Sequence, residues 1–404
     1  MKYIQRSIEK VLKKAAREFP VVVLTGPRQA GKTTVLKHLY EKSHRYISLE
    51  LPDVRAAASD DPRGFIEMYP PPVVFDEVQH APDLLPYIKE RVDADRNTAG
   101  QYILTGSQNI LLAQNITETL AGRSAVLRLF PMTYHEQAGV PGHPLPWEKG
   151  KRSDRKKVPL NTLWRNILLG GYPELVAGGK RDLPLWHGSY IQTYLERDVR
   201  TLRQVGDLTQ FQMFLRALAA RSAQLLNLTE IARDIGVAVN TVKSWLSVLE
   251  ASYQVIILRP YFENIGKRLV KSPKVYFTDT GTLCYIVGLK DPEHARKGPM
   301  GGAIMETAVV SDIYRTLMHR GETPQMYFWR TSSGTEVDVV IDEGNRLIPI
   351  EIKSSATPNR NMAKGIETFR EDFGEKASKG YLICPCDAPL PLGPDASSWP
   401  IYDL

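Results

Sequence analysis

Cysteine, long apolar runs and a secretory leader are scarce or missing in this 404-residue chain. Three cysteines, Cys284, Cys384 and Cys386, are too few for a disulfide framework and favour a reducing, cytoplasmic compartment. No apolar run approaches the ~18–20 residues that a membrane span needs, so no membrane partner is predicted. Lysine and glutamate interrupt every candidate leader core between Met1 and Phe19, which predicts an amphipathic helix there instead.

The remaining composition is that of a globular protein with two or three domains. Apolar residues make up 43% of the chain and charged residues 24%, which excludes wholesale disorder. The 52 lysines and arginines against 45 aspartates and glutamates give a net charge of +7. That surplus is compatible with a nucleic-acid or phosphate partner but does not require one.

A phosphate-binding pattern begins at Gly26. Residues 26–33 match G-x-x-x-x-G-K-[ST] at every fixed position, directly after an apolar strand and before a helix. The glycines let successive backbone N–H groups face a phosphate, and the helix N-terminus adds its dipole. Lys32 is predicted to bridge the β- and γ-phosphates, and the Thr33 hydroxyl to ligate Mg²⁺. The predicted nucleotide-binding residues of this loop are Gly26, Pro27, Arg28, Gln29, Ala30, Gly31, Lys32, Thr33 and Thr34.

A second element follows at residues 73–77, where an apolar strand ends in the adjacent carboxylates Asp76 and Glu77. Asp76 is predicted to hold Mg²⁺ through water and to join the nucleotide site, and Glu77 to polarise the attacking water. The next strand runs into Thr105 and Ser107; one of them is expected to sense the γ-phosphate, unless both are ordinary turn residues. Arg123 is either an arginine finger, acting in trans if the chain self-associates, or a structural salt-bridge partner.

Together these patterns resemble those of the prokaryotic AAA-type P-loop ATPases. The shared motifs are Gly-Pro-Arg-Gln-x-Gly-Lys-Thr-Thr at 26–34, Asp-Glu at 76–77, Leu-Thr-Gly-Ser at 104–107 and Gly-Arg at 122–123. Gly-Gly-Tyr-Pro-Glu at 170–174 matches a stretch near the start of the second half of such proteins, so the resemblance covers nearly the whole chain. It implies ATP and Mg²⁺ as cofactors and ATP hydrolysis as the activity. No second sensor arginine is identifiable in the middle of the sequence.

Residues 227–249 are predicted to form a helix-turn-helix, with Thr229 as a cap and Gly236 in the turn. In the second helix the apolar residues Val242, Leu246 and Leu249 are expected to face inward. The outward side chains, as in a recognition helix, are Asn240, Thr241, Lys243 and Ser244. A strand pair with basic residues follows and completes a pattern that resembles a winged helix; these residues are Arg259, Lys267, Arg268, Lys271 and Lys274. DNA is the expected partner, and a nucleotide-site lid or a protein contact is the alternative.

Two strands near the C-terminus carry charged residues among apolar ones. Residues 334–341 include Glu336 and Asp338, residues 347–353 include Glu351 and Lys353, and 342–346 is the predicted hairpin turn. Residues two apart in a strand share a face, so Glu351 and Lys353 project together and Asp338 meets Glu351 across the pair. Two such carboxylates can bind Mg²⁺ while the lysine orients or deprotonates water.

The spacing Asp-x₁₂-Glu-x-Lys resembles the core of restriction-endonuclease-like nucleases, and the helix at 302–314 resembles their first helix. The resemblance implies that Glu306, Asp338 and Glu351 are metal ligands and Lys353 is the catalytic lysine, with Glu336 as an alternative ligand. The competing interpretations are a salt-bridged hairpin and a nuclease fold whose metal site is inactive.

The sequence therefore predicts an α/β protein. We expect an AAA-type P-loop NTPase domain with a parallel sheet at 1–137, a basic linker or mobile loop at 138–160, a helical region with a winged helix at 161–285, and a restriction-endonuclease-like α/β domain at 286–404. The predicted function is Mg-dependent ATP binding and hydrolysis coupled to DNA binding, with DNA cleavage by the last domain left open. The alternative is a nucleotide-switched DNA- or protein-binding regulatory module; a P-loop kinase is disfavoured because it leaves the later domains unexplained.

Overall fold

The fold was analysed in a computed structural model, which describes residues 3–106, 119–149, 158–179, 181–195, 208–262 and 272–404. Within these ranges no helix has the length and apolar character that crossing a membrane requires.

The first sheet has five parallel strands in the order β2-β3-β4-β1-β5. The strands are β1 Val21–Thr25, β2 Arg45–Ser48, β3 Val73–Asp76, β4 Tyr102–Gly106 and β5 Ser124–Arg128. Strands β1, β3 and β4 are buried along their whole length, because helices cover both faces of the sheet. Since β4 lies between β1 and β3, the loop after β1 and the carboxylates after β3 meet at the carboxyl edge of the sheet.

The helices around this sheet are Glu9–Glu18, Lys32–Tyr40, Pro52–Asp60, Pro62–Met68, Leu84–Ala94 and Tyr134–Gln137, with a 3₁₀ turn at Val78–His80. The first of them buries Leu12 and Ala15, as its amphipathic pattern predicts. The last begins with a capping box, in which the Thr133 hydroxyl accepts the Glu136 amide and the Glu136 carboxylate accepts the Thr133 amide.

The middle of the chain is helical. Its helices are Leu160–Leu169, Pro173–Ala177, Leu183–Tyr190, Leu208–Ala219, Leu228–Ile235 and Val239–Ala251, with a π-helical turn at Ile191–Leu195. Gly236 adopts a left-handed conformation between two of these helices, as the predicted turn requires. The predicted cap Thr229 is wrong: Asn227 caps the helix, because its side chain accepts the Glu230 amide.

An antiparallel ribbon follows, formed by β6 Val255–Pro260 and β7 Lys274–Phe277. Leu225 makes an isolated antiparallel bridge to Lys274 on the far edge of the ribbon. Of the basic residues predicted for this strand pair, Lys267, Arg268 and Lys271 lie outside the described residues.

The C-terminal part is a second α/β unit. It contains helices Thr280–Ile286, Pro292–Lys297, Gly301–His319 and Lys364–Phe373, and strands β8 Met326–Arg330, β9 Glu336–Asp342, β10 Leu347–Ile352, β11 Gly380–Cys384 and β12 Ala396–Pro400. The sheet order is β12-β11-β10-β9-β8-β6-β7, because Arg259 and Pro260 of β6 pair with β8. The ribbon before residue 285 and the strands after it therefore form one sheet, over one continuous hydrophobic core.

The segment expected to be a linker or mobile loop, 138–160, is packed in its first half. Leu145 and Trp147 are buried, and the Trp147 ring lies 6.2 Å from that of Tyr381. Arg320 donates to the Glu148 carboxylate at 2.5 Å, which ties the segment to the C-terminal unit. Apolar side chains, rather than the basic run that suggested a linker, decide its position. Residues 150–157, which hold most of that run, lie outside the described residues.

Candidate nucleotide site and carboxylate cluster

The phosphate-binding loop adopts a backbone in which three residues, Gly26, Gln29 and Gly31, have positive φ. Gly26 has to be glycine, because a Cβ there would overlap the carbonyl oxygen of Leu129. The helix begins at Lys32, immediately after Gly31. The N–H groups of the loop and the N-terminus of this helix, with its dipole, make this end of the sheet a seat for an anion.

Lys32 is 95% buried, and its side chain points toward the start of the loop. Its Nζ donates to the carbonyl oxygens of Gly26 and Pro27, both at 3.0 Å. The ammonium group is therefore held directly above the anion seat, where a phosphate can take over the hydrogen bonds now made to the two carbonyls.

Asp76, at the end of β3, joins three hydroxyl groups. Its Oδ2 accepts from the Thr33 hydroxyl at 2.9 Å and from Tyr46, and its Oδ1 accepts from Thr105. The buried environment, together with the hydrogen bond to Asp76, raises the pKa of Tyr46 well above its usual range, so Tyr46 stays a neutral donor. Asp76 and Thr33 thus lie together at the loop, as the sequence predicts for two ligands of one Mg²⁺ ion.

Glu77 follows in a left-handed conformation with φ of 59°, which is uncommon for a residue other than glycine. The Thr105 hydroxyl accepts the Glu77 amide at 3.1 Å, and the Glu77 carboxylate accepts from the Gln79 side chain. The backbone turn directs the Glu77 side chain into the cleft, whereas Asp76 stays beneath it. A left-handed residue stores roughly 1–3 kcal/mol of strain, and such strain is concentrated at functional sites.

A cleft of about 550 Å³ opens over the loop. Its floor includes Arg28, Gln29 and the residues from Gly31 to Thr34, and Glu77 lines one wall. The other walls come from outside the first sheet. Tyr3, Ile4 and Arg6 precede it in the chain, and Pro173, Glu174 and Ala177 belong to the middle segment. Three separate parts of the chain therefore enclose the anion seat.

Arg6 anchors the loop through a buried ion network. It donates to the carbonyls of Ala30 at 2.9 Å and Phe130 at 2.7 Å, and its Nε lies 3.2 Å from Glu136. The other Glu136 oxygen lies 3.2 Å from His319 Nδ1. Because His319 Nε2 accepts the Phe130 amide at 3.0 Å, the proton of a neutral ring is on Nδ1, facing Glu136.

Burial alone raises the pKa of Glu136, but Arg6, His319 and the Ser7 amide outweigh it and hold the pKa well below its usual range. Burial also lowers the pKa of His319, which keeps the imidazole neutral. The network thus contains one carboxylate and one guanidinium. It connects the loop with the helix Gly301–His319 of the C-terminal unit.

The Gly-Gly-Tyr-Pro-Glu stretch lies where the middle segment contacts both the AAA-like first part of the chain and the residues around Asp279. The Gly171 carbonyl accepts the Met132 amide at 2.6 Å, and the Gly171 amide donates to Asp279 at 2.7 Å. A Cβ on Gly171 would overlap the Met132 carbonyl oxygen and approach Arg315 to 2.8 Å. The glycines therefore allow the turn to bring Pro173 against the phosphate-binding loop.

Two of the predicted nucleotide-site residues, Arg123 and Thr105, differ from expectation. Arg123 lies at the amino-terminal edge of β5, opposite the carboxyl edge with the loop, and donates to both Asp93 oxygens at 2.6 and 2.9 Å. An arginine finger in cis is therefore wrong and the salt-bridge alternative holds, while a role in trans stays a prediction. Thr105 is buried under Asp76 and does not line the cleft, and Ser107 lies outside the described residues.

Several site residues carried no signal in the sequence. Tyr46 lies in a short strand without a motif, and Arg6 is one of many basic residues near the N-terminus. Only the parallel register of β2 and β3, which pairs Ser48 with Asp76, could have placed Tyr46 beside the carboxylate. Pro173 and Glu174 belong to the Gly-Gly-Tyr-Pro-Glu motif, but nothing in their spacing places them at the loop.

The charged C-terminal hairpin forms as predicted. Strands β9 and β10 pair antiparallel with Ile350 opposite Val339, so Glu351 and Asp338 are the next pair along. The Lys353 ammonium donates to Glu351 at 2.7 Å and lies 3.8 Å from Asp338. Asp338 also accepts the Ile352 amide at 2.8 Å. The three residues therefore share one face of the sheet.

The third predicted ligand, Glu306, is occupied by other donors. It accepts from Lys274 at 2.9 Å and from Tyr276 at 2.6 Å, and Lys274 also pairs with Glu336. Among the described residues no group of three acidic, histidine or cysteine side chains is arranged to hold a metal ion. The predicted ligands Glu306, Asp338 and Glu351 are therefore not arranged as a metal site among the described residues, and Glu306 pairs with Lys274 instead.

In the predicted helix-turn-helix, the second helix buries Val242, Leu246 and Leu249, as the sequence predicts. Asn240 and Lys243 are exposed, while Thr241 and Ser244 are half-buried. Trp245 is buried as well and packs against the rings of Phe211 and Phe214. The exposed face of this helix is thus narrow and polar.

Comparison with protein families gives a match to an AAA domain at residues 18–138. Residues 160–293 and 301–404 match two domains of unknown function, DUF8612 and DUF4143. Among curated proteins the chain is similar to the uncharacterized proteins Rv2008c of Mycobacterium tuberculosis and Mb2031c of Mycobacterium bovis. Each is 33% identical over 353 residues, which span 86% of this chain and 73% of the relative.

Among solved structures the chain is similar to a Walker-type ATPase of Pyrococcus abyssi, with 16% identity and a TM-score of 0.46 over 70% of this chain and 96% of that chain. A RuvB protein of Thermotoga maritima has 15% identity and a TM-score of 0.29 over 62% of this chain and 88% of that chain.

Proposed function

The chain belongs to the family of the mycobacterial proteins Rv2008c and Mb2031c, and from this and its AAA domain we propose that it binds ATP with Mg²⁺ and hydrolyses it. The observation that carries the proposal is the contact of Thr33 with Asp76 beside the anion seat, with Glu77 turned into the same cleft. Binding alone gives Glu77 no role, so the second carboxylate favours hydrolysis.

The triphosphate is expected to lie on the N–H groups of the loop, with Lys32 as its counter-charge. The positive-φ residues turn these amides toward one point, and the helix N-terminus reinforces the positive potential there. The cleft above has room for the rest of a nucleotide between the N-terminal segment and Pro173.

The donor set at Asp76 fits Mg²⁺, because a hydroxyl and a carboxylate oxygen are hard ligands that this ion accepts together with water. Thr33 and Asp76 would hold it, the latter through water. When bound, the ion neutralises charge that develops on the β- and γ-phosphate oxygens. Tyr46 and Thr105 keep the Asp76 carboxylate fixed in its orientation.

Glu77 is the group that activates water. Its carboxylate lines the cleft on the side of the anion seat, and the Gln79 side chain and the backbone bond to Thr105 fix its position. From there it can accept a proton from a water that attacks the terminal phosphate. Positioned bases of this kind contribute roughly 10²- to 10⁴-fold to rate.

Phosphate release from the purified chain tests the proposal. Glu77→Gln should lower kcat by about 10²-fold or more while ATP still binds, and Lys32→Ala should remove both binding and hydrolysis. Glu90→Gln, an exposed Glu→Gln control that does not line the cleft, should leave the rate unchanged. Equal phosphate release from the wild type and Lys32→Ala would refute hydrolysis at this site.

We further propose that the helix pair Leu228–Ile235 and Val239–Ala251, with the ribbon β6–β7, is a winged helix that contacts DNA. The supporting observations are the order of helices and strands, the bridge from Leu225 to the ribbon, and the exposed Asn240 and Lys243. Tyr253 connects this module with the nucleotide-binding sheet, because its hydroxyl lies 2.9 Å from that of Thr25 in β1. Nucleotide binding can thus affect the module through a direct contact.

Fluorescence anisotropy with labelled duplex DNA at several salt concentrations tests this contact. Replacing Lys243 by alanine should weaken binding and reduce the slope of log K against log salt by about 1, the change for one lost phosphate contact. Lys13→Ala, an exposed lysine on the first helix, is the matched control and should leave the slope unchanged. Unaltered binding by Lys243→Ala would exclude this helix as the DNA contact.

A further inference from the structure

The carboxylate cluster of the C-terminal unit contains an internal cation. Lys274, on strand β7, is 96% buried. It lies between Glu306, on the helix Gly301–His319, and Glu336, on β9. Its Nζ also lies 5.6 Å from the centre of the Phe328 ring. A buried ammonium group is retained only where carboxylates compensate its lost hydration, so this position is built for a cation.

Cations of the chain itself offset most of the negative charge of the cluster. Four carboxylates, Glu306, Glu336, Asp338 and Glu351, face two lysines, and Arg330 lies 3.4 Å from Glu336 at the rim. A divalent ion bound to Glu306 and Glu336 would have to displace the ammonium group that pairs with both of them.

The backbone of the C-terminal unit packs closely against Glu351. The helix Lys364–Phe373 passes so near that a Cβ on Gly365 would overlap a Glu351 carboxylate oxygen and the Glu336 carbonyl oxygen. The other Glu351 oxygen accepts from Lys353. One Glu351 oxygen thus lies against the helix, and the other is paired with Lys353.

We infer that Lys274 is the resident cation of this cluster and excludes a divalent metal from it. The C-terminal unit then holds no cleavage metal, and its carboxylates serve an ion-pair network that fastens the ribbon β6–β7 to the C-terminal sheet. A neutral side chain in place of Lys274 creates a divalent-cation site from Glu306, Glu336 and Asp338.

Mn²⁺ binding to the nucleotide-free full chain, followed by electron paramagnetic resonance, tests the inference. The wild type and Asp338→Asn should bind the same amount of Mn²⁺, because the cluster of the wild type binds none. Lys274→Met, a neutral side chain of similar length, should gain one Mn²⁺ per chain with a Kd of about 10⁻⁴ M, and the double variant with Asp338→Asn should lose it. Lys274→Arg keeps the charge and should gain none.

The inference is overturned if the wild type binds one Mn²⁺ that Asp338→Asn abolishes, and this comparison needs no change at Lys274. It is also overturned if Lys274→Met or Lys274→Gln, shown to be folded by circular dichroism, gains no Mn²⁺. A plasmid incubated with the wild type and Mg²⁺ or Mn²⁺ should remain uncut; nicking that disappears in Asp338→Asn would contradict the assignment independently.

Discussion

The buried network of Arg6, Glu136 and His319 gives a sharp prediction for Glu136→Gln. This substitution keeps the size of the side chain and removes its charge. Among the described residues, the Arg6 guanidinium, 2% exposed, then keeps the neutral carbonyls of Ala30 and Phe130 but loses its negative partner. A buried cation left without its counter-ion destabilises a protein by about 3–5 kcal/mol, and we expect a loss of that size.

Urea denaturation followed by tryptophan fluorescence measures this loss. Glu90→Gln is the matched control: Glu90 pairs with Arg63 on the surface, where both side chains are more than half exposed. Such pairs contribute little, so the control transition should coincide with that of the wild type. If Glu136→Gln shifts the midpoint no more than Glu90→Gln, the network does not hold the structure together as we argue.

The pH dependence of the stability difference between the wild type and Glu136→Gln tests whether the charge of Glu136 causes it. The pKa of Glu136 is lowered on folding, so its contribution is present above the ordinary value of 4.5 and is lost as the pH falls below it. The gap between wild type and Glu136→Gln should therefore be constant from pH 6 to 8 and should narrow in acid. A gap that stays constant down to pH 3 would show that the carboxylate charge is not its origin.

Three further predictions concern the contacts between the parts of the chain. Gly171→Ala should destabilise the protein by about 1–3 kcal/mol through overlap with neighbouring backbone, whereas Gly302→Ala, with open space around it, should be neutral or stabilising in a thermal melt. Tyr253→Phe removes the hydroxyl that meets Thr25 and should lower the unfolding free energy by about 0.5–1.5 kcal/mol in urea. Because folding raises the pKa of Glu306 from 4.5 to about 7, the free energy of unfolding should fall by up to about 3 kcal/mol as the pH rises from 4.5 to 7. Glu306→Gln should remove this fall, which urea midpoints at each pH measure.

The sequence predicted most accurately those features whose parts are close together in the chain. The phosphate-binding loop needs eight consecutive residues, and Asp76 and Glu77 are adjacent, so pattern and spacing suffice. The hairpin that pairs Asp338 with Glu351 follows in the same way from alternation and a short turn. The geometry of these local elements agrees with the expectation.

Features that depend on distant contacts were missed for a physical reason. Arg6, Glu136 and His319 are separated by more than a hundred residues, and a single basic residue in a basic N-terminal segment has no pattern of its own. In the sequence, Lys274 is one of several cationic residues of a strand pair, and nothing distinguishes it from the others. Its pairing with Glu306 depends on β6 joining the C-terminal sheet, and only two residue pairs make that connection.

The same distance dependence explains why the AAA segment should not form a complete nucleotide site by itself. Residues 18–138 contain the loop and the carboxylates, but Arg6 precedes them and Pro173 follows them. Without Arg6 the Ala30 carbonyl loses a buried donor, and without the turn at Gly171 the cleft loses a wall. Whatever binds in the cleft must then contact the first and middle parts of the chain together, and differential contact of this kind is what allows a ligand to bias their arrangement.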